Sequence, residues 1–283
     1  MPWCENRRGE QLWYEEQGAG CVVVLLHGWC MSSAVWKYQF DGLTASNISQ
    51  QSATIRLIAP DLRGHGRSRG VAGQLNFESL AEDLVDLFDA LMLDRVVLIG
   101  WSMGAQVALQ SCAELKNRLA GLVLVSATPC FTASDDFPYG LADSQANGMR
   151  VKVQRNMLRA LAGFHTRMFA QGELENHSAA SEIKRLLSII TLPDHTAALG
   201  ALAALARTDM RHLLPTIAIP TLIVNGDEDV VCTPEASNYL KSHMPSAEQV
   251  VFSHCGHAPF LTQSDKFNAE ITGFIRSVRD QNA

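Results

Sequence analysis

A chain of 283 residues is long enough for one large α/β domain or two domains of ordinary size. Its formal net charge of -6 argues against a general nucleic-acid partner, and no apolar run approaches the ~20 residues that cross a bilayer. Seven cysteines without paired C-x-x-C spacing, and an N-terminus without an apolar signal segment, predict a cytoplasmic globular protein with no disulfides, no metal site and no membrane partner.

Short β-rich runs alternate with helical patterns along most of the chain. This alternation predicts an α/β fold in which a mostly parallel central sheet carries helices on both faces. The predicted strands are residues 11–16, 21–26, 55–59, 95–99, 121–125, 221–225 and 249–252.

Two loops follow the early strands. One strand ends in the turn His27-Gly28-Trp29, where we expect the His27 side chain to brace the loop through hydrogen bonds. Residues 61–68 form a glycine-rich loop with the pattern D-x-R-G-x-G-x-S. We interpret this second loop as structural.

The clearest predicted helix follows Asn76, which is expected to cap its N-terminus. An apolar stripe on one side should face the core, while the acidic residues should lie elsewhere on the helix. The stripe consists of Leu80, Leu84, Leu87, Phe88 and Leu91, and the acids are Glu78, Glu82, Asp83 and Asp86.

Residues 100–104 read G-W-S-M-G and lie between an apolar strand and a helical pattern. A G-x-S-x-G motif in this context indicates a nucleophile elbow, a strained strand-to-helix turn that projects its serine above the sheet. The glycines are needed because a Cβ at either position would collide with neighbouring backbone. Ser102 is therefore the candidate nucleophile, and the backbone N–H groups of Trp29 and Met103 are the expected oxyanion donors.

Between Phe131 and Pro215 the strand-helix alternation stops, and the sequence becomes helical and rich in Met, Leu, Ala and Arg. A helical segment inserted between two strands of an α/β fold is typical of a cap. We therefore predict a core made of residues 1–130 and 216–283, with residues 131–215 as an inserted helical cap.

Two turns late in the chain carry acids and histidines. A serine is a weak nucleophile at neutral pH, so it needs a base and an acid that orients the base. Residues 226–229 hold three carboxylates after one predicted strand, and residues 253–257 hold two histidines after the next. The chain order Ser, Asp, His is that of α/β-hydrolases and differs from the orders of chymotrypsin and subtilisin.

The motifs H-G-W, D-x-R-G-x-G-x-S, G-W-S-M-G, G-D-E-D and H-A-P-F span nearly the whole chain, and together they resemble the α/β-hydrolase superfamily. In that superfamily the acidic turn typically reads G-x-x-D, so the resemblance selects Asp229 rather than Asp227 or Glu228. On similar grounds the resemblance selects His257 rather than His254. The resemblance thus implies a triad of Ser102, Asp229 and His257.

Residues 100–104, 126–131 and 257–260 more narrowly resemble the pimeloyl-[acyl-carrier protein] methyl ester carboxylesterases of biotin synthesis. Such enzymes hydrolyse the methyl ester that disguises a growing dicarboxylic acyl chain and release methanol, without a metal or organic cofactor. The resemblance implies the same reaction here, with an acyl-carrier protein thioester as substrate and small-molecule esters as further substrates.

Aromatic residues near the predicted nucleophile suit the methylenes of an acyl chain. The expected substrate-binding side chains are those of Trp29, Trp101, Phe131 and Phe164. Simple packing in the core is the alternative explanation for aromatic residues near an elbow.

Residues 146–185 contain seven basic and three acidic residues in a chain that is acidic overall. Because acyl-carrier proteins are strongly acidic, a basic cap surface would steer and dock one. We expect Arg150, Arg155 and Arg159 to form that surface, and Arg159 is the best match to a family counterpart. An ordinary solvated helix face is the alternative.

Other functions remain open at this point. Dehalogenases and epoxide hydrolases of this fold use aspartate at the elbow, so Ser102 argues against them. A general short-chain carboxylesterase, a carbon-carbon bond hydrolase and a cofactor-free haloperoxidase all keep the serine. A non-catalytic binding protein is the alternative from a different class, although such a protein has no need of Ser102, Asp229 and His257 together.

Overall fold

The computed structural model describes residues 2–44, 54–70, 75–175 and 177–280. Its strands are β1 (Trp3–Glu5), β2 (Gln11–Gly18), β3 (Cys21–Leu26), β4 (Ile55–Pro60), β5 (Val96–Trp101), β6 (Leu119–Val125), β7 (Thr221–Gly226) and β8 (Ala247–Phe252). Within the described residues they form one eight-stranded sheet in the order β1-β2-β4-β3-β5-β6-β7-β8. The β1-β2 and β2-β4 pairs are antiparallel and the others are parallel, so the predicted mostly parallel sheet is confirmed.

Helices alternate with these strands. They are α1 (Lys37–Leu43), α2 (Phe77–Ala90), α3 (Met103–Leu115), α4 (Asp143–Arg155), α5 (Met157–Arg167), α6 (Ala180–Ile189), α7 (His195–Arg207), α8 (Pro234–His243), α9 (Pro259–Thr262) and α10 (Ser264–Asp280). The chain crosses from β3 to β4 in one direction along the sheet and from β4 to β5 in the opposite direction. Because such crossovers are right-handed, α1 and α2 lie on opposite faces of the sheet. None of the described helices is both long and apolar enough to cross a membrane.

The connection from β6 to β7 contains α4, α5, α6 and α7. Helix α4 packs against both α5 and α7. The described part of this connection contains isolated β-bridges but contributes no strand to the sheet. The division of the chain into a core and a cap at residues 131–215 stays a prediction.

Asn76 caps α2 as predicted, because its side chain accepts a hydrogen bond of 2.8 Å from the N–H of the third helical residue. Two of the acids on the same helix are buried, since Asp83 and Asp86 are only 6% and 8% exposed. The guanidinium of Arg63 makes two 2.7 Å hydrogen bonds to Asp83, and Arg7 makes a 2.8 Å ion pair with Asp86. These partners come from distant parts of the chain and let the carboxylates be buried.

The parallel strands end together at one edge of the sheet. Their register pairs Leu26 with Gly100 between β3 and β5, and Gly226 with Phe252 between β7 and β8. The turns that follow β3, β5, β7 and β8 therefore meet at the carboxyl edge of the sheet, where open α/β sheets bind their ligands.

His27 braces the turn after β3 as the sequence predicts. Its Nδ1–H donates to the Gly28 carbonyl at 2.8 Å, and its Nε2 accepts from the Leu62 N–H at 3.0 Å. The neighbouring His65 donates from Nδ1 to the Arg63 carbonyl at 3.0 Å. Burial lowers the pKa of His27 to about 4 and that of His65 to about 3, so both imidazoles are neutral in the folded protein at pH 7.

We expect the free energy of unfolding to fall as the pH drops below about 6.5, the ordinary pKa of histidine in an unfolded chain. Above that pH neither state binds a proton at these two histidines. Below it the unfolded chain binds protons, while the folded protein does not until its own lower pKa is reached. In urea denaturation, His65→Gln should reduce the difference in unfolding free energy between about pH 7.5 and about pH 5 by about 2 kcal/mol.

The control for this measurement is His254→Gln, because the His254 side chain is 92% exposed. This variant should keep the pH dependence of the unaltered protein. An unchanged pH dependence in His65→Gln would show that the burial of this imidazole does not contribute to acid sensitivity.

Candidate active site

Ser102 lies in the turn between β5 and α3 with φ 54° and ψ -115°. This left-handed backbone is unusual for serine and stores roughly 1–3 kcal/mol of strain. A Cβ added to Gly100 would lie 2.4 Å from the Gly104 carbonyl oxygen, and one added to Gly104 would lie 2.3 Å from the Leu26 carbonyl oxygen. The two glycines are thus required by close backbone contacts, as expected of a nucleophile elbow.

His257 and Asp229 form a buried pair. The Nδ1 atom of His257 lies 2.8 Å from Oδ2 of Asp229, and both side chains are fully buried. The other carboxylate oxygen of Asp229 accepts hydrogen bonds from the backbone N–H groups of Val231 at 2.8 Å and Cys232 at 3.0 Å. Nε2 of His257 has no hydrogen-bond partner within the described ranges, so this nitrogen is available to accept a proton.

The remaining acids and the second histidine of these turns lie elsewhere. The exposed His254 side chain is 3.4 Å from the Glu228 carboxylate. Asp227 accepts a 3.3 Å hydrogen bond from the backbone N–H of Cys255. Of the three acids in the turn, Asp229 is the one that contacts a buried imidazole.

Two contacts place Ser102 beside this pair. The indole N–H of Trp101, the preceding residue, donates to the His257 carbonyl at 2.8 Å. The Ser102 side chain lies next to the Cys232 thiol, and the backbone N–H of Cys232 donates to Asp229 at 3.0 Å. Ser102, Asp229 and His257 therefore belong to one cluster at the carboxyl edge of the sheet.

Three cysteines around this cluster are buried. Burial raises the pKa of the Cys30, Cys232 and Cys255 thiols well above the usual range, and the Asp229 carboxylate adds to the rise at Cys232. The reactive species of cysteine is the thiolate. These thiols are therefore poor nucleophiles at neutral pH, and Ser102 is the better candidate in the cluster.

The backbone N–H groups of Trp29 and Met103 have no hydrogen-bond acceptor within the part of the chain that the structure describes. Met103 is the first residue of α3, where helix N–H groups lack intrahelical partners and the helix dipole favours negative charge. A Cβ added to Gly28 would lie 3.4 Å from the Ser102 Cβ, so the turn that carries Trp29 adjoins the serine. Both predicted donors are thus close to the place where an oxyanion would form.

A cavity opens at Ser102, and Trp29, Phe131 and Phe164 lie on its wall. The rings of Trp29 and Phe164 meet edge to face with centroids 5.3 Å apart. The remaining wall residues were not predicted from the sequence and are Leu141, Gln145, Ala146, Met149, Arg167, Leu202, Leu205 and Val231. Most of them come from the helices between β6 and β7. The sequence signal for such residues is a spacing of three or four positions, which places side chains on one face of a helix.

The structure does not bring Trp101 to this cavity. Its side chain is 1% exposed and packs behind the serine against Phe260, with ring centroids 4.9 Å apart. The strand-to-helix turn directs consecutive side chains in different directions, so Ser102 faces the cavity while Trp101 faces the core. Trp101 therefore supports the backbone of His257 and does not line this cavity.

Arg150, Arg155 and Arg159 are exposed on α4 and α5. None of their side chains makes a hydrogen bond or an ion pair within the described residues. Their charges are therefore free to interact with a partner, and Arg167 brings a further exposed cation to the cavity wall.

The chain is similar to known proteins along most of its length. Residues 22–264 match the family of proteins with the alpha/beta hydrolase fold. The chain is 31% identical to the pimeloyl-[acyl-carrier protein] methyl ester esterase of Nitrosospira multiformis, over 94% of this chain and 98% of the relative. It is 35% identical to the esterase of the same name from Nitrosomonas europaea, over 89% of this chain and 95% of the relative. The solved structure of an esterase from Exiguobacterium antarcticum superimposes with a TM-score of 0.86 at 26% identity, covering 97% of this chain and 98% of that one.

Proposed function

Because the chain belongs to the α/β-hydrolase fold family, we propose that it is a serine carboxylesterase that hydrolyses the methyl ester of pimeloyl-[acyl-carrier protein] in biotin synthesis. The observation that carries the serine chemistry is the buried hydrogen bond between His257 and Asp229 beside Ser102. The choice of ester is supported by relatives of this activity that align with about nine-tenths of the chain.

In the acylation step, the Ser102 hydroxyl attacks the carbonyl carbon of the methyl ester while His257 Nε2 takes its proton. Asp229 holds the Nδ1–H tautomer and stabilises the imidazolium that forms. The N–H groups of Trp29 and Met103 stabilise the negative oxygen of the tetrahedral intermediate. The intermediate then collapses, His257 returns the proton to the leaving methoxide, and methanol departs from an acyl-Ser102 ester.

In the deacylation step, water takes the place that methanol has left. His257 removes a proton from this water as it attacks the acyl-enzyme carbonyl. Collapse of the second tetrahedral intermediate breaks the bond to Ser102 Oγ, which recovers a proton from His257. The products are free enzyme and a carboxylic acid on the carrier-linked chain, and the cycle uses Ser102 as the covalent nucleophile and His257 for proton transfer.

The cavity wall supports an acyl substrate. Trp29, Phe131 and Phe164 offer apolar surface to the methylenes, and burial of each methylene contributes about 0.8 kcal/mol. Gln145 and Arg167 are the polar side chains of the wall besides Ser102, and they can hydrogen-bond to carbonyl groups of the substrate.

We further propose that Arg150, Arg155 and Arg159 dock the acidic carrier protein. Changing any one of them to Glu should lower kcat/KM for the carrier-linked ester roughly threefold to tenfold, because attraction at the rim of an interface becomes repulsion. Hydrolysis of p-nitrophenyl butyrate should stay within about twofold, since this small ester needs no docking. Steady-state kinetics at low and high salt would measure both effects, and the loss should shrink as salt screens the charges.

Lys116→Glu is the matched control for the charge change. Lys116 is exposed at the end of α3, away from the Ser102 end of that helix. The Lys116→Glu variant should leave the hydrolysis of both esters unchanged. Equal losses for Lys116→Glu and Arg159→Glu would mean that overall charge, and not this face, governs the encounter.

The proposed function is tested by presenting the purified protein with pimeloyl-carrier protein methyl ester, free dimethyl pimelate and p-nitrophenyl butyrate. Faster cleavage of the carrier-linked ester than of both free esters is the expected result. Turnover of the free esters alone would reduce the assignment to a general short-chain carboxylesterase. Binding of the carrier-linked ester without release of methanol would indicate a binding protein instead.

A further inference from the structure

A carboxylate outside the triad lies against the turn that carries His257. Glu173 follows α5, and its Oε2 atom accepts hydrogen bonds from the backbone N–H of Gly256 at 2.9 Å and of Ala170 at 2.7 Å. Its Oε1 atom accepts a 2.6 Å hydrogen bond from the Thr262 hydroxyl. One side chain thus contacts the residue just before His257 and the last residue of α9, so it ties together both ends of the histidine turn.

The surrounding backbone reinforces this contact. The His257 N–H donates to the Met168 carbonyl at 2.6 Å, and a Cβ on Gly256 would lie 2.5 Å from the same oxygen. His177 donates from Nε2 to the Thr262 carbonyl at 2.7 Å, since its Nδ1 accepts from a backbone N–H. Residues 168–175 and His177 therefore pack directly against residues 256–262, and Glu173 supplies a charged contact between the two segments.

No cation balances Glu173 within the described residues, where its carboxylate is held by three hydrogen-bond donors. Hydrogen bonds to an ionised acceptor are shorter and roughly twice as strong as neutral ones. Such contacts hold the backbone on both sides of His257 in one arrangement. For proton transfer the imidazole must hold Asp229 with Nδ1 and direct Nε2, which has no partner among the described residues, toward Ser102, so a shift of this turn would disturb both the bond to Asp229 and the direction of Nε2.

We propose that Glu173 is a positioning residue that sets the orientation of His257 for proton transfer. It does not touch the reacting atoms and acts through the backbone of residues 256–262. Glu173 also couples the helices of the cavity wall to the triad, because the segment that carries it continues directly from α5, which contributes Phe164 and Arg167 to the wall. This inference rests on the proposed serine esterase function.

The test is Glu173→Gln, which keeps the size of the side chain and removes its charge. We expect kcat for p-nitrophenyl butyrate to fall about 10- to 100-fold with KM within about twofold, since small misplacements of catalytic groups have effects of this order. The rate at which a fluorophosphonate inactivates Ser102 should fall in parallel, because that reaction reports the activation of the serine without turnover. Glu175→Gln, two residues later and exposed, is the matched control and should leave both rates unchanged.

Thr262→Val provides a milder variant that removes one of the three donors, and we expect a loss of about threefold to tenfold in the same two rates. If Glu173→Gln does not fold, the proposal is tested with Thr262→Val. Unchanged kcat and fluorophosphonate reactivity, with or without a lower melting temperature, would overturn the proposal. A rise in KM without a change in kcat would also overturn the proposal, because it would show that Glu173 affects the shape of the cavity and not the orientation of His257.

The esterase function itself is judged on the unaltered protein. If that protein neither hydrolyses p-nitrophenyl butyrate nor reacts with the fluorophosphonate, the proposed function fails and the inference with it. If the unaltered protein is active and Glu173→Gln equals it, the inference about Glu173 fails alone.

Discussion

Replacing Ser102 with Ala should reduce kcat for every ester substrate by about 10⁴- to 10⁶-fold, since loss of a serine nucleophile has effects of this order in serine hydrolases. The variant should keep the fold, because alanine is smaller than serine and the substitution does not change the strained backbone of the elbow. It should still bind the carrier-linked ester, because the cavity wall and the exposed arginines are untouched. Release of methanol under single-turnover conditions measures the loss directly.

Ser111→Ala is the matched control for this variant. Ser111 is a fully buried serine on α3, the helix that begins beside Ser102, and among the described residues its hydroxyl bonds only to the Val107 carbonyl. It should retain full activity apart from a small loss of stability. Substantial turnover by Ser102→Ala would show that hydrolysis does not pass through this serine, and the proposed acyl-enzyme would then be wrong.

Asp229→Asn should reduce kcat about 10⁴-fold while leaving KM nearly unchanged. An amide at this position can present its NH₂ group to Nδ1, which favours the imidazole tautomer that carries its proton on Nε2. That tautomer cannot accept the Ser102 proton. The backbone N–H groups of Val231 and Cys232 can still donate to the remaining oxygen, so the turn should keep its shape.

The comparison that decides this prediction is with Glu228→Gln, the neighbouring acid. Glu228 is exposed, and within the described part of the chain its carboxylate pairs only with the exposed His254 side chain, so its amide variant should be fully active. Measured kcat values for the two variants separate the buried acid from the surface acid within one turn. A Glu228→Gln variant as impaired as Asp229→Asn would assign the loss to the turn as a whole.

Local patterns were sufficient for most of the sheet and for the elbow. The predicted strand at 21–26 matches β3, and the other predicted strands overlap the observed ones with ends that differ by at most two residues. The strand β1 was missed because its three residues are stabilised by pairing with β2, and so short a run has no readable period. G-W-S-M-G was readable because the turn, its strain and its close backbone contacts depend on five consecutive residues.

Contacts between distant residues could not be predicted in this way. Asp83 and Asp86 have the spacing of a solvated helix face, yet Arg63 and Arg7 cover them in the folded protein. Trp101 is adjacent to the nucleophile in sequence, and only the direction of its side chain decides that it supports His257 rather than the substrate.

The sequence by itself determined the α/β class, the serine elbow and the order in which the serine, the acidic turn and the histidine turn follow the strands. These properties depend on periodicity, turn chemistry and neighbouring residues, which are local. Only the tertiary structure decided that Asp229 contacts His257, that Ser102 lies beside them, and that Glu173 holds the histidine turn from 84 positions earlier in the chain. The physical reason is that these contacts form where separate turns meet at the carboxyl edge of a folded sheet, and no local pattern records which side chains the packing brings together there.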